Sequence, residues 1–142
     1  QLSGIVKILS GSYLTLSSCL DNALSATNDQ TPNQILASPY AANKSIDQWL
    51  NPAAFAQPAT GKYGNMGPRN ILGPGSIGID MGLTRKFRVV EHQSIEFRAE
   101  FFNLPNHLNP GSPVTTLTSN TFGKIQSADD PRILQLALKY VF

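Results

Sequence analysis

At 142 residues with a net charge of +2, the chain is long enough for one core and too short for two comfortable ones. Charged residues make up only 14%, which excludes a basic nucleic-acid surface, and 41% hydrophobic residues exclude a disordered chain. The single Cys19 excludes a disulfide framework and a zinc cluster, and no run approaches the roughly 18 apolar residues of a spanning helix.

No basic-then-apolar leader opens the chain, and Gln1 reads as an internal or processed start. The first expected strand, about residues 2–9, alternates imperfectly, with Ser3 and Lys7 on one parity. Tyr13 to Ser17 reads as its hairpin partner or as the start of a loop. A long irregular region, about residues 11–75, follows. Within it one short helix is expected: Ser45 caps it, Gln48 completes a capping box, and Ile46, Trp49 and Leu50 share a side. Asn51-Pro52 ends it. Trp49 should pack on Phe55 or the loop wall as a staple.

The back of the chain is clearer. Over residues 76–88 one parity carries Ile77, Ile79, Met81, Leu83 and Phe87, interrupted only by Arg85. The other carries Ser76, Gly78, Asp80, Gly82, Thr84 and Lys86. That period of two is a strand with one apolar and one polar face. Residues 94–103 repeat it: Ile95, Phe97, Ala99 and Phe101 against Glu96, Arg98 and Glu100. Residues 133–142 do so again: Leu134, Leu136, Leu138, Tyr140 and Phe142 against Gln135, Ala137, Lys139 and Val141. Each run is about nine to eleven residues, the length at which a tilted strand crosses a bilayer. A short polar turn joins the first two, and a long loop, about 104–132, leads to the third. Alternating long and short connections are what transmembrane barrels show.

The fold class that follows is all-β: long antiparallel strands of outer-membrane barrel type, long loops and one short helix, too short to close a barrel alone. Burying a large apolar side chain is worth about 1.5–3 kcal/mol, so a whole apolar face cannot stay in water. Lipid, a second sheet or other copies of the chain must cover it. A soluble binding sandwich needs a covering sheet that residues 18–75 do not supply. On the polar face Asp80, Glu96, Arg98, Glu100 and Lys139 read as a lumen-facing wall. There Arg98 pairs with its own-strand neighbours and Lys139 with a carboxylate. Phe87, Tyr140 and Phe142 gather at one level, as an interfacial girdle does, with Phe101 and Phe102 near the opposite rim.

Catalytic and metal chemistry leave no signature. His92 and His107 have no ligand-spaced partner, and neither a nucleophile elbow nor a phosphate-binding loop occurs. Asp21, Asn22, Asn28 and Asp29 read as a polar loop before a calcium site, and Cys19 lacks a basic neighbour. No enzyme activity and no cofactor are expected.

Phe101-Phe102-Asn103-Leu104-Pro105-Asn106-His107, the preceding Phe97-Arg98-Ala99-Glu100, and Phe122-Gly123-Lys124-Ile125 followed by Asp130-Pro131-Arg132 carry a resemblance. So do Asp21-Asn22-Ala23-Leu24, Trp49 to Phe55, and Gly64 to Gly67 with Gly73 to Gly75. Together they resemble the carboxyl-terminal barrel segment of TonB-dependent outer-membrane receptors of the Oar-like type, which carry an amino-terminal carboxypeptidase-regulatory-like domain. The resemblance covers nearly the whole chain, residues 1–142. It implies a place in the bacterial outer membrane, in uptake of a bulky solute recognised by the loops. The implied partners are outer-membrane lipid, the remaining strands and plug of a barrel of about 22 strands, the TonB complex through an amino-terminal part not present here, and the barrel-assembly machinery. Leu134, Leu136, Leu138, Tyr140 and Phe142 match the alternating, aromatic-ended signal which that machinery reads. The alternative expectation is a self-assembling extracellular β-rich subunit, a tube or filament in which copies cover one another's faces and edges.

Overall fold

The computed structural model describes all residues 1–142. Eight strands occur in chain order: β1 (Leu2–Leu9), β2 (Tyr13–Leu14), β3 (Asn33–Gln34), β4 (Phe55–Ala56), β5 (Ile71–Leu72), β6 (Ser76–Val90), β7 (Gln93–Phe102) and β8 (Ile133–Val141). The only helical element is a 3-10 turn, Pro52–Ala54. The chain divides into two units, one of residues 1–9, 76–109 and 129–142, the other of residues 10–75 and 110–128.

The first unit is a four-stranded antiparallel sheet in the order β1-β6-β7-β8. The order is a plain meander whose outer strands, β1 and β8, leave two open edges. Register places like residues in rows across it. Leu83 faces Leu2 on one side and Ala99 on the other, and Ala99 faces Leu136. Phe87, Ile95 and Tyr140 form a row toward the short turn, and Ile77 meets Ile8 toward the long connections. One face is therefore apolar on all four strands. From the Ile77 row to the Phe87 row the strand covers about 34 Å, or about 24–26 Å of height at a barrel-like tilt, close to the apolar band of about 25 Å in such barrels.

Both long connections leave the same end of this sheet, because Leu9 pairs with Ser76 and Phe102 with Ile133. The short turn at the other end brings Val90 opposite Gln93. A register shift between Arg88 and Val90 marks a bulge there, and it carries β6 two residues past the expected end at Arg88.

At its other end β6 also outruns β7, since pairing begins only at Met81 and Phe101. Residues 76–80 then need other partners on that side, because unpaired backbone groups are costly. The loop supplies them. The Leu104 N–H donates to the Ile79 carbonyl at 2.8 Å, and Asn109 pairs with Ile77 like a missing strand residue. Its Oδ1 accepts from the Ile77 N–H at 2.8 Å while its Nδ2 donates to the Ile77 carbonyl at 2.9 Å. His107 Nδ1 lies 3.0 Å from the same Oδ1, which requires the proton on Nδ1. Asn103 takes a left-handed backbone, φ 48°, and exchanges hydrogen bonds with the His107 N–H and carbonyl. The run from Asn103 to Asn109 is thus a clasp that finishes the sheet. Asn109→Ala is expected to cost about 1–3 kcal/mol by stranding both Ile77 groups, read as a lower urea midpoint and faster exchange of the Ile77 amide.

The second unit holds the hydrophobic core: Leu16, Leu50, Ala54, Phe55, Met66, Ile71 and Phe122. The Phe55 and Phe122 rings meet edge to face at 5.4 Å. Two sequence-distant loops build this body together. The Trp49 and Leu50 N–H groups both donate to the Gly123 carbonyl, at 2.8 and 3.2 Å, and the Ile125 N–H donates to the Ile46 carbonyl. Gly123 has φ +76°, and a Cβ there would sit 2.9 Å from the Leu50 carbonyl oxygen, so only glycine fits without strain.

Three local expectations are corrected. Residues 45–50 form no helix. Ser45 Oγ does accept from the Gln48 N–H at 3.1 Å, but Trp49 and Leu50 then turn their amides to Gly123 instead of back to the preceding turn. Asn51-Pro52 opens the helical turn rather than ending one. Asn51 Oδ1 accepts from the Ala53 N–H at 3.1 Å, and Pro52 occupies the first helical position, where its missing N–H costs nothing. Tyr13–Leu14 pairs with Ile71–Leu72, not with the first strand.

Candidate membrane wall and loop body

The apolar face of the sheet contributes no side chain to this core cluster, and of its residues only Ala99 is buried. Leu136 is 70% exposed and Leu138 73%, whereas Leu50 in the loop body is fully buried. Leu2, Val6, Ile8, Leu83, Phe87, Leu134 and Tyr140 are exposed as well. Alternation, with no second layer over it, leaves this face to be covered from outside the chain. Tyr140 and Phe142 stack loosely at 6.0 Å, level with Phe87.

The opposite face brings the charged residues together in two groups. Arg98 lies 3.3 Å from Glu96 and 4.0 Å from Glu100, its neighbours two residues away on the same side of the strand. Lys139 stands opposite Glu96 in register, yet no ion pair forms between them, which corrects the expected pairing; Glu96 is turned toward Arg98. Asp80 lies toward the opposite end of β6 from Arg88, near the long connections, where Lys7 Nζ approaches it at 3.9 Å. It also accepts from the Asn103 N–H at 3.0 Å. A recess of about 490 Å³ on this unit is lined by Lys7, Asp80, Asn103, Asn109, Asp129 and Asp130 among others.

A model of the outer-membrane β-barrel domain family matches residues 1–135. The chain belongs to that family. Comparison with curated proteins and with solved structures returns no match. The barrel domain is a bacterial outer-membrane component, which implies association with outer-membrane lipid, and the apolar face is left exposed by the chain itself. Four strands do not close a barrel, and a bilayer tolerates no open edge, so further strands must pair with β1 and β8.

In the loop body of the barrel domain Trp49 is half-buried against the core, and its Nε1 donates to the Leu72 carbonyl at 3.4 Å. Lys44 Nζ lies 3.9 Å from the Tyr40 ring centre and 5.2 Å from that of Trp49. Phe55 is in the core itself. Around residues 21–30 Asp21 organises a strained loop, with Leu24 and Ala26 both at positive φ. Its carboxylate accepts from the Ser25 and Ala26 N–H groups, each at 2.8 Å, and from Gln30 Nε2 at 2.6 Å. A carboxylate so filled with N–H donors is not set up for a cation. Asn22 is likewise committed, its Nδ2 donating to Gln57 at 2.9 Å.

The Ser25 backbone N–H, helped by Ala26 and Gln30, holds the Asp21 carboxyl below the ordinary carboxylate range, against the opposing effect of burial. A depressed folded value means the contribution is complete above the ordinary range and is lost as pH falls through the folded one. Acidification below that range is expected to loosen residues 21–30 while the sheet stays intact, read as loss of protection at the Ser25 and Ala26 amides. Asp21→Asn should show the loosened loop already at neutral pH.

Proposed function

We propose that the chain is the carboxyl-terminal wall and loop segment of a TonB-dependent outer-membrane receptor of the Oar-like type, non-enzymatic, serving uptake of a bulky solute. The observation that carries this reading is the pair of long connections, which leave one end of the sheet and fold together into a body with its own aromatic core. A channel needs only a wall; a loop body held by buried aromatics offers a fixed surface for recognition. The motifs Phe101 to His107 and Phe122 to Ile125 support the same reading. Both serve closures on which the loops depend, the clasp at Asn109 and the Gly123 junction.

In this reading the polar face, with Glu96, Arg98, Glu100, Lys139 and Asp80, lines the lumen against a plug. The remaining strands and plug of the receptor complete the barrel, and the TonB complex engages its amino-terminal part. Leu134, Leu136, Leu138, Tyr140 and Phe142 form the strand offered to the barrel-assembly machinery, through edge pairing with alternate side chains setting register.

The test is to extract the full-length protein from the outer-membrane fraction and offer it to an immobilised TonB carboxyl-terminal domain. Detergent-dependent extraction and specific capture are expected. Recovery as a soluble monomer contradicts the reading. A small product that builds large regular particles without detergent favours the second reading, a self-assembling β-rich subunit, for which the two open edges of the sheet are the supporting observation.

A further inference from the structure

The apolar face carries a single charged side chain, Arg85. It shares parity with Leu83 and Phe87, and its register partner is Phe97, which in turn faces Leu138. Nothing on the chain neutralises it. The three ion pairs use Lys7 and Arg98, and the arginine side-chain hydrogen bonds belong to Arg98 and Arg132. Its guanidinium instead lies 5.2 Å from the centre of the Phe87 ring, folded toward the row of Phe87 and Tyr140. A cation on such a face is costly at mid-depth and nearly free at the interface. Arg85 stands one row from the rim, and its side chain leans rimward, as a long cationic chain does when its head seeks the polar layer.

We propose that Arg85 binds the phosphate of an anionic phospholipid at the short-turn rim, with the lipid's acyl chain lying along Phe97 and Leu138. This rests on the reading that the apolar face meets lipid. Charge selects the occupant: an exposed, unpaired guanidinium within a greasy surface suits a ligand that is anionic at one end and apolar at the other. The planar fork of arginine donates to two phosphate oxygens at once, which a lysine there could not reproduce. Phe87 and Tyr140 shield the pair on the rim side.

The experiment is native mass spectrometry of the full-length protein in detergent, mixed with equal amounts of phosphatidylglycerol and phosphatidylcholine. The wild-type protein is expected to retain phosphatidylglycerol about fivefold over phosphatidylcholine, a modest preference for one charge-assisted contact. Arg85→Gln should bring the ratio near unity, while Arg88→Gln, on the opposite parity, should leave it unchanged. An unchanged preference in Arg85→Gln overturns the proposal, as does displacement of the lipid by an equal concentration of inorganic phosphate. A Leu138→Trp reporter separates the two layers of the argument. Quenching by brominated acyl chains with an unaltered Arg85→Gln ratio removes only the phosphate site. Absence of quenching removes the lipid-facing wall and the site with it.

Discussion

Leu136→Arg is expected to lower the stability of the membrane-inserted protein by about 2–4 kcal/mol, whereas Gln135→Arg should change it by less than about 1 kcal/mol. The two positions are adjacent on β8 and differ only in the face they present. Leu136 lies in the row of Leu83 and Ala99, near the middle of the apolar band, where hydrocarbon offers a guanidinium no partner. Gln135 lies in the row of Glu100, on the face that already carries charge. Urea titration of the two variants refolded into phospholipid bilayers makes the comparison. Equal costs at both positions would mean that the strand has no lipid side.

Phe55→Ala is expected to remove about 3–5 kcal/mol from the loop body, the range for deleting a buried aromatic ring. Phe55 is 6% exposed and meets Phe122 edge to face, so its loss leaves a void that joins the two loops' shares of the core. The sheet contains none of this cluster and should keep its exchange protection. Hydrogen-exchange mass spectrometry should show peptides around residues 46–56 and 119–125 becoming fast, with those of β6 and β7 unchanged. Solute uptake should fall with the loops, if recognition belongs to them.

The sheet was readable because a half-covered strand writes its environment into every second residue. Ile77 to Phe87, Ile95 to Phe101 and Leu134 to Tyr140 each keep parity for most of their length, and the register aligns those parities across strands. Where parity breaks, local reading stops. Two adjacent valines, Val89 and Val90, accompany the bulge that prolongs β6, and nothing nearby marks it.

The loop body was far less legible, because its conformation is decided by partners distant in sequence. Ser45 and Gln48 do close a turn, as their spacing suggests, yet Gly123, more than seventy residues on, takes the next two amides and cancels the helix. The clasp at Asn109 is of the same kind. Asn109 lies within the long loop, about 104–132, and its role shows only once β6 is known to outrun β7 and to leave the Ile77 N–H and carbonyl in need of partners. Arg85 was visible as a break in an apolar parity; only the register, which sets it between Leu83 and Phe87 near the rim, gives that break a meaning. Likewise Lys139 and Glu96 are register partners, but side-chain geometry rather than register decided that Glu96 turns to Arg98.

The central claim is that one face of the meander meets hydrocarbon and the other meets water. A nitroxide scan along residues 133–141 of the membrane-inserted protein tests it most directly, by comparing collision with oxygen against collision with a water-soluble nickel chelate. The account predicts a period of two: labels at 134, 136, 138 and 140 reached by oxygen, and labels at 135, 137 and 139 reached by the chelate. A flat profile, or chelate access at 136 and 138 equal to that at 135 and 139, would contradict it.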